Sequence, residues 1–364
     1  MEELTKQHFV TEITRMFGIR HPVVQAGMNV AAGPELAAAV TNAGGLGVIG
    51  GLNYRPKMLR EMIRELKGLL REPCAPFGVD LLLPKVGEGA RKTNYDYTKG
   101  ELDELIDVII DEKAKLFVSA VGVPPKHIID KLHHHGIFVM NMVGAPKHAE
   151  KALALGVDII CAQGGCGGGH TGDIDTTVLV PAIVDMCKPR GIPVLAAGGI
   201  YDGRGLAMSL CMGADGVWVG TRFVACTEAN APPIHKKAVL ETKHDQTFRT
   251  LVFTGRPLRI GPNKYARDWE TKRRDKMQRL LSEGKVPSDY DLEMREKGTF
   301  DTEDIECLFE YATKPQPYPH LMGQVAGSIY SIKSAKDIVD ELVMGAVRTL
   351  DGITRDKREY HSKL

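Results

Sequence analysis

The sequence has almost no net charge: 47 Lys and Arg stand against 46 Asp and Glu, leaving +1 at neutral pH. That excludes the strong positive field of a nucleic-acid binder. It has no CxxC pair, and its seven cysteines, Cys74, Cys161, Cys166, Cys187, Cys211, Cys226 and Cys307, are an odd number. A disulfide framework and a zinc ribbon are excluded in favour of a reducing compartment. Cys166 and His170 stand at ligand-like spacing, yet no second pair accompanies them, so no metal is expected. There is no stretch of about 18 apolar residues free of charges and glycine runs, and the first residues, MEELTKQ, are acidic where a signal peptide is basic. Neither a membrane nor secretion is expected. Walker A patterns and low-complexity segments are also missing.

What remains is an ordinary globular composition, 43% hydrophobic and 26% charged with a mean hydropathy of -0.15. A length of 364 residues suits roughly two domains, or one barrel with an added subdomain. From about residue 22 to 228 one grammar repeats: a short apolar run rich in β-branched residues, a glycine or polar break, then a helical pattern. Eight runs begin at Val23, Leu46, Gly78, Leu116, Phe138, Asp158, Pro193 and Gly216, and unbroken alternation over eight units predicts a (β/α)8 TIM barrel in the α/β class. Met58, Met62, Ile63, Leu66 and Leu70, like Leu102, Leu105, Ile106 and Ile109, recur at helical spacing and read as core faces.

After Asn230 the strand signals fade. Helical patterns over 271–281 and 301–311, the prolines Pro315, Pro317 and Pro319, and a last amphipathic helix over 335–350 predict a smaller helical subdomain inserted before the last barrel helix. The expected division is 1–228 for the barrel, 229–318 for the subdomain and 319–364 for the closing segment and tail. The run Lys272-Arg273-Arg274-Asp275-Lys276 reads as a solvated helix face. His133-His134-His135 reads as cationic capping of a helix end. Gly45 to Gly50 spells GxGxxG, but its apolar residues are the strand itself and no helix opens at the last glycine, so it is discounted. The chain finishes Ser362-Lys363-Leu364, a peroxisomal address that implies a peroxisomal import receptor as partner.

Barrels react at the carboxyl ends of their strands and favour phosphate at the loops after strands seven and eight. Those loops read Ala197-Gly198-Gly199-Ile200 and Gly220-Thr221-Arg222-Phe223, glycines for close backbone approach and a threonine hydroxyl as an extra donor. The sixth loop, Gly164 to Gly172, holds six glycines in nine residues together with Cys166 and His170. Such a loop is suited to wrapping a flat ligand, and His170 is the residue there able to exchange protons near neutrality, a candidate general base. With neither a Walker A nor a dinucleotide fingerprint, a mononucleotide such as FMN is favoured as cofactor.

Four motifs carry a more specific resemblance: Val24-Gln25-Ala26-Gly27-Met28; Ala162-Gln163-Gly164 with Gly168-Gly169-His170-Thr171-Gly172; the two phosphate loops; and Gly323-Gln324-Val325-Ala326-Gly327. In this order they resemble the nitronate monooxygenase family, formerly 2-nitropropane dioxygenases, which are FMN-dependent barrels. The resemblance implies that Ala26, Gly27 and Met28 line the flavin ring with Asp80, that Gln163, Gly164 and Gly168 adjoin it, and that Gly198, Gly199, Gly220 and Thr221 hold its phosphate. His170 matches the family's active-site histidine. Relatives often carry asparagine at the position of Asp80 and an acidic residue at that of Cys166. The implied reaction takes an alkyl nitronate, with nitroalkanes and propionate 3-nitronate as further candidate substrates, and O2 to a carbonyl compound and nitrite. The rival is an FMN-dependent enoyl-thioester reductase using NAD(P)H on the same barrel, and a flavin sensor without turnover is disfavoured because a sensor needs no proton-transfer group at the ring.

Overall fold

The computed structural model describes residues 6–85, 88, 90–298 and 319–361, with side chains in the closing helix as far as 353. The expected helix over 301–311, the prolines 315 and 317 and the tail 362–364 lie outside the described residues.

Eight parallel strands form the barrel: β1 (Val23–Gln25), β2 (Gly47–Gly50), β3 (Phe77–Leu82), β4 (Leu116–Ala120), β5 (Phe138–Val143), β6 (Ile159–Gln163), β8 (Val194–Ala197) and β9 (Gly216–Val219). The intervening β7 (Gly169–His170) belongs to another sheet. Pairing runs β1-β9-β8-β6-β5-β4-β3-β2, and the ring nearly closes where the Gln25 amide donates to the Leu46 carbonyl and the Leu46 amide to that of Val23, each at 3.0 Å. Side-chain alternation divides the strands. Ile160, Ala162, Val79 and Val139 face the helices, whereas Ile159, Cys161, Val118, Met140 and Trp218 fill the interior.

The helices α2 (Pro34–Asn42), α3 (Pro56–Leu69), α4 (Leu102–Asp111), α5 (Lys126–His134), α6 (Pro146–Leu155), α7 (Thr176–Cys187) and α8 (Gly203–Cys211) ring the strands. Proline opens α2, α3 and α6, where its missing N–H costs no helical hydrogen bond. The buried stripe of α3 is Leu59, Ile63 and Leu66. Met58 departs from the expected core face, being 48% exposed, because the stripe turns one residue away from it. His133 binds Asp158 at 2.8 Å in the last turn of α5. A short α1 (Glu12–Phe17), capped by Thr11 and ended by left-handed Gly18, brings Ile13 and Phe17 under the barrel interior as its floor. The glycines of the discounted GxGxxG run serve packing: a Cβ on Gly47 would overlap the Ala37 carbonyl of α2, and one on Gly45 would lie 2.6 Å from the Val23 oxygen.

After β9 come α9 (Thr221–Val224) and α10 (Pro233–Glu241). The segment expected to be helical then makes a hairpin of β10 (Phe248–Thr250) and β11 (Leu258–Ile260) before α11 (Lys264–Thr271), α12 (Arg274–Glu283) and α13 (Pro287–Glu296). Its second strand pairs antiparallel with β7, Leu258 opposite His170 and Arg259 opposite Gly169. Trp269, Tyr265, Leu258, Ile260 and Met277 form a separate core here. The basic run is only partly a solvated face, since Arg273 is buried, its guanidinium on both oxygens of Asp291 at 2.9 and 3.0 Å and over the Trp269 ring. Asp291 also accepts from Tyr265 and Trp269. The closing helix α14 (Ala335–His361) extends well past the expected end and packs on α8, where Gly203 and Gly345 allow the backbones to approach.

Candidate active site

The loop after β1 lies across the tops of its neighbours. A Cβ on Gly27 would fall 2.6 Å from Asp80 Oδ2, and one on Gly50 would fall 2.5 Å from the Met28 amide nitrogen, so both positions admit only glycine. Ala26 is buried, and Met28 reaches toward Gly220. Asp80 shares strand parity with Gly78, opposite to the outward Val79 and Leu81, and so points into the barrel. It is 2% exposed and its Oδ1 has no hydrogen-bond partner. Burial without a cation beside it raises its carboxyl well above the usual range. The same burial, with Asp80 as a second cause, pushes up the interior Cys161 thiol.

On the opposite side of the mouth, Gly198 and Gly199 are successive left-handed residues, with φ of 93° and 79°. A Cβ on Gly198 would meet the Gly164 oxygen at 2.8 Å, while the Thr176 hydroxyl donates to the Gly198 carbonyl at 2.9 Å. The Gly164 amide in turn donates to the Ala197 carbonyl, joining the loops after β6 and β8. Gly220 precedes α9, and the Thr221 hydroxyl accepts from the Gly323 amide at 2.9 Å, which leaves its own hydrogen as a donor. The late motif is thereby drawn into the rim. The Gln324 amide donates to the Cys166 carbonyl at 3.0 Å, and a side chain on Gly168 would strike the Met322 backbone. Arg222, within the phosphate-loop motif, turns away to the Ala225 and Ser331 carbonyls, both at 2.8 Å.

The glycine loop is held from both sides. Gln163 Nε2 donates to the His170 carbonyl at 3.1 Å and that of Gly168 at 3.3 Å. From the hairpin, Arg259 Nε donates to the Gly165 carbonyl at 2.9 Å, and Arg249 donates to the Gly172 carbonyl at 2.8 Å while pairing with Asp173. His170 is partly buried, its Nε2 lying 3.0 Å from the Thr254 hydroxyl. That hydroxyl can donate to the Arg256 carbonyl at 3.3 Å, and when it does so the imidazole proton sits on Nε2 and Nδ1 is left unprotonated. Burial first, then the Arg256 guanidinium, lower the His170 pKa to about 4. The ring is therefore neutral near pH 7.

All the residues singled out in the sequence, from Ala26, Gly27, Met28 and Asp80 through Gln163, Gly164, Gly168 and His170 to Gly198, Gly199, Gly220 and Thr221, stand at the strand ends and loops of one barrel face. Sequence reading missed Arg249, Thr254, Arg256 and Arg259. The available signal was the turn chemistry of Thr254-Gly255-Arg256-Pro257 between two short runs containing Phe248 and Leu258.

A parallel barrel with paired glycine turns and a neutral histidine at its mouth defines a cofactor-dependent oxidoreductase site. Residues 10–345 match the family described as nitronate monooxygenase, and the chain belongs to that family. It is 34% identical over 281 residues to the nitronate monooxygenase of Pseudomonas aeruginosa, covering 69% of this chain and 79% of that one. It is 38% identical over 250 residues to the (3aS,4S,5R,7aS)-5-hydroxy-7a-methyl-1-oxo-octahydro-1H-indene-4-carboxyl-CoA dehydrogenase of Mycobacterium tuberculosis, covering 69% of this chain but only 65% of that relative's length. Among solved structures it resembles the nitroalkane oxidase of Streptomyces ansochromogenes, with a TM-score of 0.76 and 26% identity over 94% of this chain and 99% of that one. The family implies a flavin, and the residues present fit one. The left-handed Gly198-Gly199 turn exposes backbone to an anion, and the buried, unpartnered Asp80 Oδ1 calls for a polar ligand atom inside the mouth.

Proposed function

We propose that the chain is an FMN-dependent nitronate monooxygenase, oxidising alkyl nitronates with O2 to carbonyl compounds and nitrite. The observation that carries this reading is a neutral His170 fixed on Thr254 with the Arg256 guanidinium beside it, facing a mouth built of glycine turns. Bound FMN would supply one-electron redox chemistry between an electron-rich anion and oxygen. Gly198, Gly199, Gly220 and Thr221 would hold its phosphate, and Ala26, Gly27, Met28, Gln163, Gly164 and Gly168 would border its ring. Asp80, whose buried Oδ1 lacks a partner, would face a polar atom of the ring. His170 Nδ1 would take the proton from the carbon of a neutral nitroalkane, or, for a nitronate already deprotonated, orient the anion.

A second reading, an FMN-dependent enoyl-thioester reductase using NAD(P)H, is favoured by one observation: the relative at 38% identity carries a CoA ester in its name. Anaerobic mixing of the yellow protein with propyl-2-nitronate and, separately, with NADPH decides between them. Flavin bleaching or a radical spectrum with the nitronate alone is expected, and bleaching by NADPH alone assigns the second reading. Denaturation should release FMN; release of FAD overturns the cofactor. The proposal of peroxisomal import rests on Ser362-Lys363-Leu364. A fluorescent protein fused to the N-terminus should gather in peroxisomes and disperse when those three residues are deleted.

A further inference from the structure

Two buried amides of the barrel are tied at the ends that matter. The Val48 amide donates to Gln25 Oε1, and Gln25 Nε2 donates to the Val48 carbonyl, both at 3.1 Å. Asn141 gives its amide hydrogens to the Ser119 and Gly122 carbonyls, at 3.0 and 2.6 Å. Asp80 departs from that pattern, since it is as deeply enclosed and yet its Oδ1 is bonded to nothing in the protein. The loop after β1 lies directly on it: a Cβ on Gly27 would fall 2.3 Å from the Asp80 Cβ. Its register neighbours, Gly50 on β2 and Val118 on β4, carry no titratable group. The titratable group that shares the interior with it is the Cys161 thiol of β6.

Ionising a carboxyl so placed costs solvation that nothing beside it returns. Among the described residues no cation acts on it, and the Cys161 thiol, pushed up by burial and then by Asp80, keeps its own proton at neutral pH. The position therefore answers to the charge of whatever ligand atom comes to rest against Oδ1. A flavin ring that gains electrons there gains negative charge, and two like charges in one water-poor site do not both persist. The carboxylate is the partner that can be neutralised by a proton entering from the mouth. An asparagine of the same shape would be neutral whatever charge the ring carried.

We propose that Asp80 couples proton uptake to electron uptake by the bound flavin, its carboxylate binding a proton as the ring is reduced and releasing it as the ring is reoxidised. The ring itself takes two electrons and one proton; Asp80 takes one further proton, drawn from solvent, on a carboxylate oxygen. Both protons return to solvent when the electrons pass to the acceptor, and an O–H bond is the only bond made or broken at Asp80. Asp80 thereby favours the reduced ring without presenting a fixed charge to the oxidised one. The inference rests on the flavin of the functional reading above and not on its substrate.

Dithionite titration of the flavin-loaded protein against a reference dye, repeated from about pH 6 to about pH 9, supplies the test. Within that range the potential of the parent should fall more steeply with pH than that of Asp80→Asn, by the slope of one extra proton per flavin reduced. His170 is common to both proteins, so its own titration cancels. Infrared difference spectra, reduced minus oxidised, should show a carboxylic acid band appear in the parent, shift in heavy water and be missing from Asp80→Asn. Should that variant lose its flavin, the spectrum of the parent decides alone. Equal slopes at every pH overturn the proposal, as does a parent spectrum without the acid band. An extra proton in a protein that does not oxidise nitronates keeps the coupling and overturns the nitronate reading, whereas equal slopes in an active nitronate oxidase do the reverse.

Discussion

The two halves of the mouth are built differently. On the barrel side, the turns at Gly198-Gly199 and Gly164 are fixed by backbone bonding to backbone and by the lack of room for any Cβ. On the inserted side, Arg259 and Arg249 from a three-residue strand pair and Thr254 from its turn reach onto the carbonyls and the imidazole of the glycine loop. Main-chain geometry of the first kind serves any phosphate-bearing cofactor. Side chains of the second kind are where one member of a barrel family is made to differ from another, which agrees with relatives as unlike in name as a monooxygenase and a CoA-ester dehydrogenase.

The largest effect expected falls where the two sides meet, at the imidazole that the hairpin holds. His170→Asn removes the proton acceptor but keeps a polar side chain, so flavin content should hold while turnover of neutral nitroalkanes falls by about 10²- to 10⁴-fold. Nitronates, already deprotonated, should lose less. Equal losses for both would assign His170 to anion stabilisation, and unchanged rates would remove it from the chemistry.

Two histidines at opposite ends of the barrel are withdrawn from water. His21, under the barrel floor and 2% exposed, has its pKa lowered to about 4, as His170 does under the hairpin. Each takes up its proton more readily unfolded, at 6.5, than folded. Their contribution to stability is therefore complete above pH 6.5, declines as pH falls toward 4 and levels off below it. A displacement from 6.5 to about 4 corresponds to on the order of 3 kcal/mol per histidine. Asp80 works in the opposite sense, its raised pKa costing stability as pH rises above 3.8. Denaturant melts of the parent and of His21→Gln at pH 7 and pH 4.5 isolate the histidine: the variant should lose less stability between the two, and parallel losses would show that His21 titrates normally.

The barrel was legible because its signals are local. The strands at Val23, Leu116, Phe138 and Gly216 begin where their apolar runs do, and the other four begin one residue away. Leu46, for example, makes a single bridge to Val24 and drops out of β2. The insertion was not legible because its determinants are distant. Its strands are three residues long, rich in Arg and Thr, and the second takes its outer partner from β7, nearly ninety positions earlier. Arg273 sits in a charged run whose buried counterion, Asp291, lies on another helix 18 residues on. For the site, glycines and His170 announced themselves by composition, whereas Thr254 and Arg256 acquire meaning only when the hairpin brings them to the histidine.

A smaller effect is expected from the barrel turn. Gly198→Ala places a Cβ at a left-handed φ of 93° and 2.8 Å from the Gly164 carbonyl. Strain of this kind costs about 1–3 kcal/mol. On the proposed function the turn cradles the FMN phosphate, so the cost should appear chiefly as weaker FMN retention during dialysis, with kcat per bound flavin little changed. Loss of kcat at full flavin occupancy would instead move this turn into the part of the mouth that touches substrate.

The smallest effect separates holding a group from supplying one. Thr254→Val keeps the shape of the side chain but removes the hydroxyl 3.0 Å from His170 Nε2. Nothing then sets the imidazole proton on Nε2, and the two tautomers compete for the position facing the substrate. A neutral hydrogen bond contributes about 1 kcal/mol, or roughly fivefold in rate. The fall should be confined to neutral nitroalkanes, where Nδ1 must be basic, and should leave nitronates and the KM of either nearly untouched. A fall in flavin content with Thr254→Val would show that the hydroxyl supports the glycine loop as Arg259 does. An equal fall for nitroalkanes and nitronates would mean that ring orientation, and not the tautomer, is what Thr254 controls.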